Sequence, residues 1–318
     1  MNLLILRLLA TRLGAAVVSL AAVSVLVFAI TALLPGDAAQ EQLGQAATPE
    51  AVAALRQQMG LDSPAPVRYF RWLGGVVAGQ PGDSLVSKMP VATLIGRRLP
   101  NSLMLAAATA LISVPVALLL GIAAAVWRGT WFDRAISVGS VAVVSVPEFL
   151  VATLAVLVFA VKLHWLPALS SMSDVYSFGQ MLRAFAMPVL CLCLVIIAQM
   201  VRMTRAAVID QLRMPYIEMV RLKGASPART VLLHALPNAV GPIANAVALS
   251  LSYLLGGVII IETIFNYPGI AKLMVDGVSQ RDIPLVQSCA MIFCAAYLML
   301  VTVADVFSIV SNPKLRHQ

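Results

Sequence analysis

The chain has 318 residues, 60% of them hydrophobic and only 11% charged. Soluble globular domains carry about 25% charged residues, so this composition argues against a soluble enzyme and for a protein solvated by lipid. The net charge of +8 comes from basic residues spread over short loops with no aromatic platform, which suits cationic loops beside anionic lipid and not nucleic acid.

A membrane-spanning helix needs about 20 apolar residues. The first such run, 13–34, follows Arg7 and Arg12. It exceeds the roughly 7–15 apolar residues of a signal peptide, so it reads as an uncleaved first span. Residues 35–100 are too polar to span. Within them Thr48 is placed to cap a short helix, with Pro49 in its first turn, Glu50 at its positive end and Gly60 as its stop. A second amphipathic helix is predicted over 66–77. Five more spans are predicted near 102–126, 135–162, 185–204, 238–261 and 286–309, for a total of six.

Orientation follows from the short loops. Arg7, Arg12, Arg128, Arg134, the cluster from Arg202 to Arg229, Lys314 and Arg316 fall on one side, against Lys162, Arg183, Lys272 and Arg281 on the other. Long loops such as 35–100 cross largely regardless of charge, so both termini are expected in the cytoplasm.

One polar stretch interrupts the apolar pattern, YIEMVRLKGASPARTVLLHALPNAVGP at 216–242. Tyr216 to Lys223 predicts a short helix, with Gly224 as a left-handed stop. Ser226 then caps a second helix with Pro227 at its first position, and Leu236-Pro237-Asn238 marks a bend before the next span. Tyr216, Met219, Val220 and Lys223 share a face by their spacing. On pattern alone, a hairpin lying on the lipid surface reads the same way.

The spacing of this segment resembles the EAA loop of ABC importer permeases: E-A-A, three residues, G, nine residues, then I-x-L-P. Glu218, Gly224 and His234-Ala235-Leu236-Pro237 hold those places, with Met219 and Val220 for the two alanines and His234 for isoleucine. The block H-A-L-P-N is similar to the branch importing dipeptides, oligopeptides and nickel complexes. Further blocks resemble that branch in order: G-Q-P-G-D-S at 79–84, Ser145-Val146-Pro147-Glu148-Phe149 before Trp165-Leu166-Pro167, Glu262 to Gly269, Arg281-Asp282-Ile283-Pro284, and Asn312 to Arg316.

The resemblance implies an all-α integral membrane protein with six transmembrane helices, a cytoplasmic coupling loop and a long extracytoplasmic insertion after the first helix. Residues 1–98 would hold the first helix and the insertion, 99–310 the permease domain with its coupling loop at 205–237, and 311–318 a cytoplasmic tail. The expected setting is the bacterial inner membrane, beside lipid. The partners implied are a homologous second permease, two ATPase subunits and an extracytoplasmic substrate-binding protein. Coupling to the ATPases would fall to Tyr216, Glu218, Met219, Val220, Arg221, Lys223, Gly224, Ser226, His234 and Pro237. Pro147, Glu148 and Asn266 are candidates for the translocation pathway. The main expectation is import of small peptides. A nickel or other metal chelate, glutathione or an opine are alternatives, and a stand-alone secondary transporter is the alternative of another class.

Several residues carry readings of their own. None of the five lysines follows a glycine, so the chain has no phosphate-binding P-loop, and ATP with its magnesium is expected on the ATPase partners with no cofactor in this chain. Gly82-Asp83-Ser84-Leu85 spells a hydrolase motif, but no histidine has an aspartate three residues before it, so a turn is the expected reading. Glu148 lies near the middle of the third predicted span. A carboxylate there suggests function, while its place after Pro147 also suits a kink whose freed amides it accepts from. Asp305 is expected to reach water or an arginine. Gly256-Gly257 permits close helix approach. Cys191, Cys193, Cys289 and Cys294 read as small buried hydrophobes, and no catalytic or metal site is expected.

Overall fold

A computed structural model describes residues 3–33, 43, 47–58, 62–170 and 177–310. They are almost wholly helical, with one isolated antiparallel bridge between Asp83 and Pro90. Helix α1 is Leu3–Leu33, α2 Pro49–Gln58, α3 Ala65–Val77, α4 Val91–Val126 and α5 Trp131–Val144. Helix α6, Glu148–Ala155, widens into a π-helical stretch at Val156–Lys162. Then come α7, Phe178–Leu212, and the short α8, Pro215–Leu222. Helix α9, Pro227–Ile264, contains a second π-helical stretch at Thr230–Ala235. Last are α10, Ile270–Ser279, and α11, Ile283–Val310.

Among the described residues, α1, α4, α7, α9 and α11 are long and apolar enough to cross a membrane; α5 and α6 together make a sixth if they count as one span. That pair is bent by 96°, so the continuous third span expected over 135–162 is a broken one. Pro147 is the cause: it has no amide to donate, it stands as the N-cap of α6, and Leu150 and Val151 both donate back to its carbonyl. Helix α4 starts well before the apolar run at 102, and α7 extends past both ends of 185–204, because polar turns continue a helix beyond the lipid. The Thr48 cap is present, with its Oγ1 accepting from the Ala51 amide at 3.3 Å. Gly60 and the 312–316 block lie outside the described residues.

The chain divides into two compact units. One takes the described residues up to Gly14, Met104–Tyr267 and those from Tyr297 onward. Its core gathers Ala125, Val208, Ile209, Val231, Ala239 and Ile243. Arg12 pairs with Asp305 at 3.1 Å, the arginine contact expected of that carboxylate. Gly121 lets α4 lie directly on α7, where a Cβ would meet the Thr204 Cβ at 2.8 Å.

The other unit comprises Ala15–Leu103 and Pro268–Ala296, around a core of Val91, Ile95, Ile270, Leu285 and Cys289. Its loop before α4 is tied down by a single buried carboxylate. Ser84 Oγ donates to Asp282, and the Leu85 amide donates to the same side chain at 3.1 Å. Ser84 is thus a closed structural hydroxyl inside a turn, which agrees with the turn reading of the Gly-Asp-Ser-Leu motif. Thr31 and Gln287, both buried, join through a hydrogen bond from Gln287 Nε2. The four cysteines are free thiols, three of them buried.

Candidate functional site

Helix α8 has one buried side chain. Ile217 is fully buried, while Tyr216, Met219 and Leu222 are exposed, Leu222 at 77%. Eight residues are too few for an isolated helix to persist in water. Pro215 pre-sets the first turn, and the end is closed by a paired stop. Gly224 adopts φ +82, its amide donates to the Arg221 carbonyl at 2.9 Å and the Ala225 amide to Val220 at 3.4 Å. That left-handed residue is where glycine is required. Ser226 caps α9, its Oγ accepting from the Arg229 amide. The anchor Ile217 and the exposed Leu222 are absent from the spacing argument, which identifies the face of Tyr216, Met219, Val220 and Lys223. A helix of two turns with a single buried residue has too little periodicity to show which side faces in.

The bend expected at Leu236-Pro237-Asn238 is absent, because α9 runs straight through it. In the π-helical stretch the Leu236 amide reaches five residues back to the Val231 carbonyl. Pro237, next in line, has no amide to lose, so the wider turn takes up the proline without a break. His234 lies within this stretch, its carbonyl accepting from Asn238 Nδ2 at 2.9 Å.

A cavity of about 540 Å³ opens between the end of α4, the α7–α8 turn and the start of α9. Glu218 and Arg221 of α8 line it together with Arg128 and Arg213, so its rim is predominantly cationic. The nearby α4–α5 turn is fixed by Asp133, which is 5% exposed. It accepts from Gly129 N at 2.9 Å and from both Nε and Nη2 of Arg205 on α7. Cationic groups, exposed apolar side chains and a rigid floor together form a surface able to receive another protein.

The three other sequence candidates do not cluster at this site. Pro147 forms the break between α5 and α6. Glu148 opens α6 half-buried, and its carboxylate lies on Gly257 of α9, where an added Cβ would collide with it. No donor among the described residues bonds to it, so the amides freed at the kink are not its partners. Of the glycine pair, Gly257 makes this close approach, and Gly256 faces open space. Asn266 closes α9 with φ +50, its amide donating to Thr263 and the Tyr267 amide to Glu262 at 2.9 Å. This is the same left-handed stop as at Gly224, built on the residue that tolerates it next best. Tyr267 is fully buried against Phe185, and burial, with the Glu262 carboxylate as a second cause, pushes its phenol up.

A family model described as "Binding-protein-dependent transport system inner membrane component" matches residues 117–317. The N-terminal model of the same kind of membrane component matches residues 5–106. The glutathione transport system permease protein GsiC of Salmonella paratyphi A is 36% identical over 307 residues, covering 96% of this chain and 98% of that protein. The Escherichia coli K12 protein of the same name is 36% identical over 296 residues, covering 93% and 94%.

Proposed function

Because the chain belongs to the binding-protein-dependent ABC importer permeases of the inner membrane, in the branch that takes in dipeptide, oligopeptide and glutathione permeases, we propose that it imports glutathione or a closely related small peptide. Within this reading the chain is one of two permease subunits. Two ATPase subunits bind ATP and magnesium on the cytoplasmic side, and a binding protein delivers solute from outside. Both termini and the 216–237 loop face the ATPases.

The observation that carries the reading is α8 itself, a short helix whose one buried residue is Ile217 and which leaves Tyr216, Glu218, Met219, Arg221 and Leu222 exposed beside a cationic cavity. Such a helix is exposed apolar surface without a partner in this chain, which a soluble face would not retain. Tyr216, Met219, Val220 and Lys223 would seat in the ATPase, with Glu218 and Arg221 at the cavity rim. Gly224, Ser226, His234 and Pro237 set the geometry that passes the thrust into α9. Between solutes, the names of the relatives favour glutathione over the dipeptides and oligopeptides expected first, and over metal chelates and opines.

The test is uptake of labelled glutathione by proteoliposomes holding the complete importer with its binding protein. ATP-dependent, saturable uptake competed by unlabelled glutathione is expected. Uptake of di- or oligopeptides without glutathione would return the peptide reading. Uptake that persists without the ATPases would support a stand-alone transporter and overturn the coupling role of α8.

A further inference from the structure

Helix α3 has two faces of opposite character. On one, Val67, Phe70, Gly74 and Val77 recur at helical spacing and all are exposed, Phe70 at 69% and Val77 at 82%. On the other, Arg68, Arg71 and Trp72 wall a cavity of about 330 Å³. Its further walls include Phe28 of α1 with Ile283 and Gln287 of α11, and no carboxylate lines it. All of these residues belong to the unit of Ala15–Leu103 and Pro268–Ala296.

The depth of α3 follows from what it touches. The Tyr69 hydroxyl meets Ser24 Oγ at 2.8 Å. The rings of Tyr69 and Trp72 pack on Phe28 at 5.4 and 6.1 Å, and the Arg68 guanidinium lies 5.9 Å from the centre of the same ring. The apolar span of α1 ends at Thr31. At 1.5 Å per residue Phe28 therefore lies about 4.5 Å inside that end, and Ser24 about 10 Å. Helices that lie in the plane of the bilayer surface sink to a similar depth, about 5–10 Å. The span of α11 begins at Ile283, so a second helix places the cavity at the same boundary. Tyrosine and tryptophan are the usual anchors where hydrocarbon meets headgroups.

A lipid satisfies both faces at once. Acyl chains cover the row of Val67, Phe70 and Val77, which a helix standing in water would not leave open. Two guanidinium groups around a cavity without a carboxylate complement a phosphate diester. A water-soluble partner would have to reach the apolar row at the depth of Phe28, among the headgroups.

We propose that α3 is an interfacial helix and that the cavity beside Arg68 and Arg71 holds the phosphate of an anionic phospholipid. In the orientation proposed above this is the outer surface of the membrane. The lipid then braces the end of α1 against the start of α11, where the hydrogen bond between Thr31 and Gln287 already joins them. The inference does not depend on which solute is carried.

The experiment titrates the delipidated, assembled importer in detergent and counts bound molecules by native mass spectrometry. The probes are phosphatidylglycerol, phosphatidylcholine with the same chains, and glycerol phosphate, which has the headgroup chemistry without chains. Wild type is expected to bind phosphatidylglycerol about tenfold more tightly than phosphatidylcholine, in the range of one charge-assisted hydrogen bond, and to retain no glycerol phosphate. Arg71→Gln should bring phosphatidylglycerol down to the level of phosphatidylcholine, while Arg71→Lys should keep most of the preference. In nanodiscs, a spin label on Phe70→Cys should collide with dissolved oxygen and be shielded from water-soluble chromium oxalate.

Equal binding of the two lipids by wild type, or an undiminished preference in Arg71→Gln, overturns the site. Glycerol phosphate bound as tightly as the lipid would make this a site for a free phosphate ester and overturn the lipid assignment. A label open to chromium oxalate until the binding protein is added would give the apolar row to a protein and overturn the interfacial placement. Should Arg71→Gln fail to assemble, the lipid preference of wild type and the label at position 70 decide on their own.

Discussion

Arg205 on α7 donates from Nε at 2.5 Å and from Nη2 at 2.9 Å to the two carboxylate oxygens of Asp133, at the start of α5. The pair joins two helices next to the proposed coupling cavity, and Asp133 is almost fully buried there. Removing one member leaves the other charged and poorly solvated, which costs about 3–5 kcal/mol. Asp133→Ala should therefore lower the thermal midpoint of the purified complex by on the order of 5–10 °C. Arg205→Lys keeps charge without the fork and should fall between. A midpoint within 1 or 2 °C of wild type for Asp133→Ala would show that this pair carries no structural weight.

Gly224→Pro removes the amide that donates to Arg221 and imposes a negative φ where the backbone stands at +82. The membrane helices do not depend on this residue, so the chain should insert and purify in normal amount. Transport should be abolished, because α8 loses its stop and its direction. Glutathione uptake beside an insertion assay checks both, and normal uptake would end the account of this loop.

Glu218 faces the proposed coupling cavity among Arg128, Arg213 and Arg221. Glu218→Lys makes the rim wholly cationic. It should reduce recovery of the ATPase subunits on the tagged permease by about tenfold, and more at low salt than at high. Unchanged recovery would mean that Glu218 is merely solvated.

Two glycines make close approaches with opposite expected consequences. At Gly121 an added methyl meets the Thr204 Cβ and, at 3.0 Å, the Val201 carbonyl, neither of which can swing away. Gly121→Ala should destabilise the complex by about 1–3 kcal/mol. At Gly257 the obstacle is the end of the Glu148 side chain, which can turn aside. Gly257→Ala should leave the melting temperature nearly unchanged while lowering uptake severalfold, and Gly256→Ala, with open space around it, should do neither. Equal effects of Gly256→Ala and Gly257→Ala would refute the contact.

Asp282 accepts from both Ser84 Oγ and the Leu85 amide inside the second unit. Asp282→Ala leaves both donors without their acceptor, so the 82–90 loop should be cut faster under limited proteolysis. Ser84→Ala removes one bond and should show a smaller increase. Cleavage rates unchanged in both would show that the loop is held by other contacts.

The 216–237 loop is legible in sequence because its signals are local. Gly224 announces a left-handed residue, and Ser226 with Pro227 announces a helix start. The Pro237 bend misleads, since a π-helical turn can absorb the missing amide and nothing in nearest-neighbour pattern marks such a turn. Pro147 gives notice of a lost hydrogen bond but not of a 96° angle, which depends on what α6 packs against. Asp133 and Arg205 lie 72 residues apart, so no periodicity could pair them.

Helix α9 comprises 38 residues, about 57 Å of rod at 1.5 Å per residue, against a hydrocarbon layer of about 30 Å. Nearly half its length therefore stands outside the layer, and the helix stays continuous through Pro237 and Pro242 although neither has an amide for the ladder. A rod of this kind works as a lever pivoting where it leaves the lipid. A sideways push on the Pro227 arm swings the Ile264 end in the opposite direction through a comparable arc. Motion can thus reach the far side of the membrane through inclination alone, with no span required to slide along its axis or unwind.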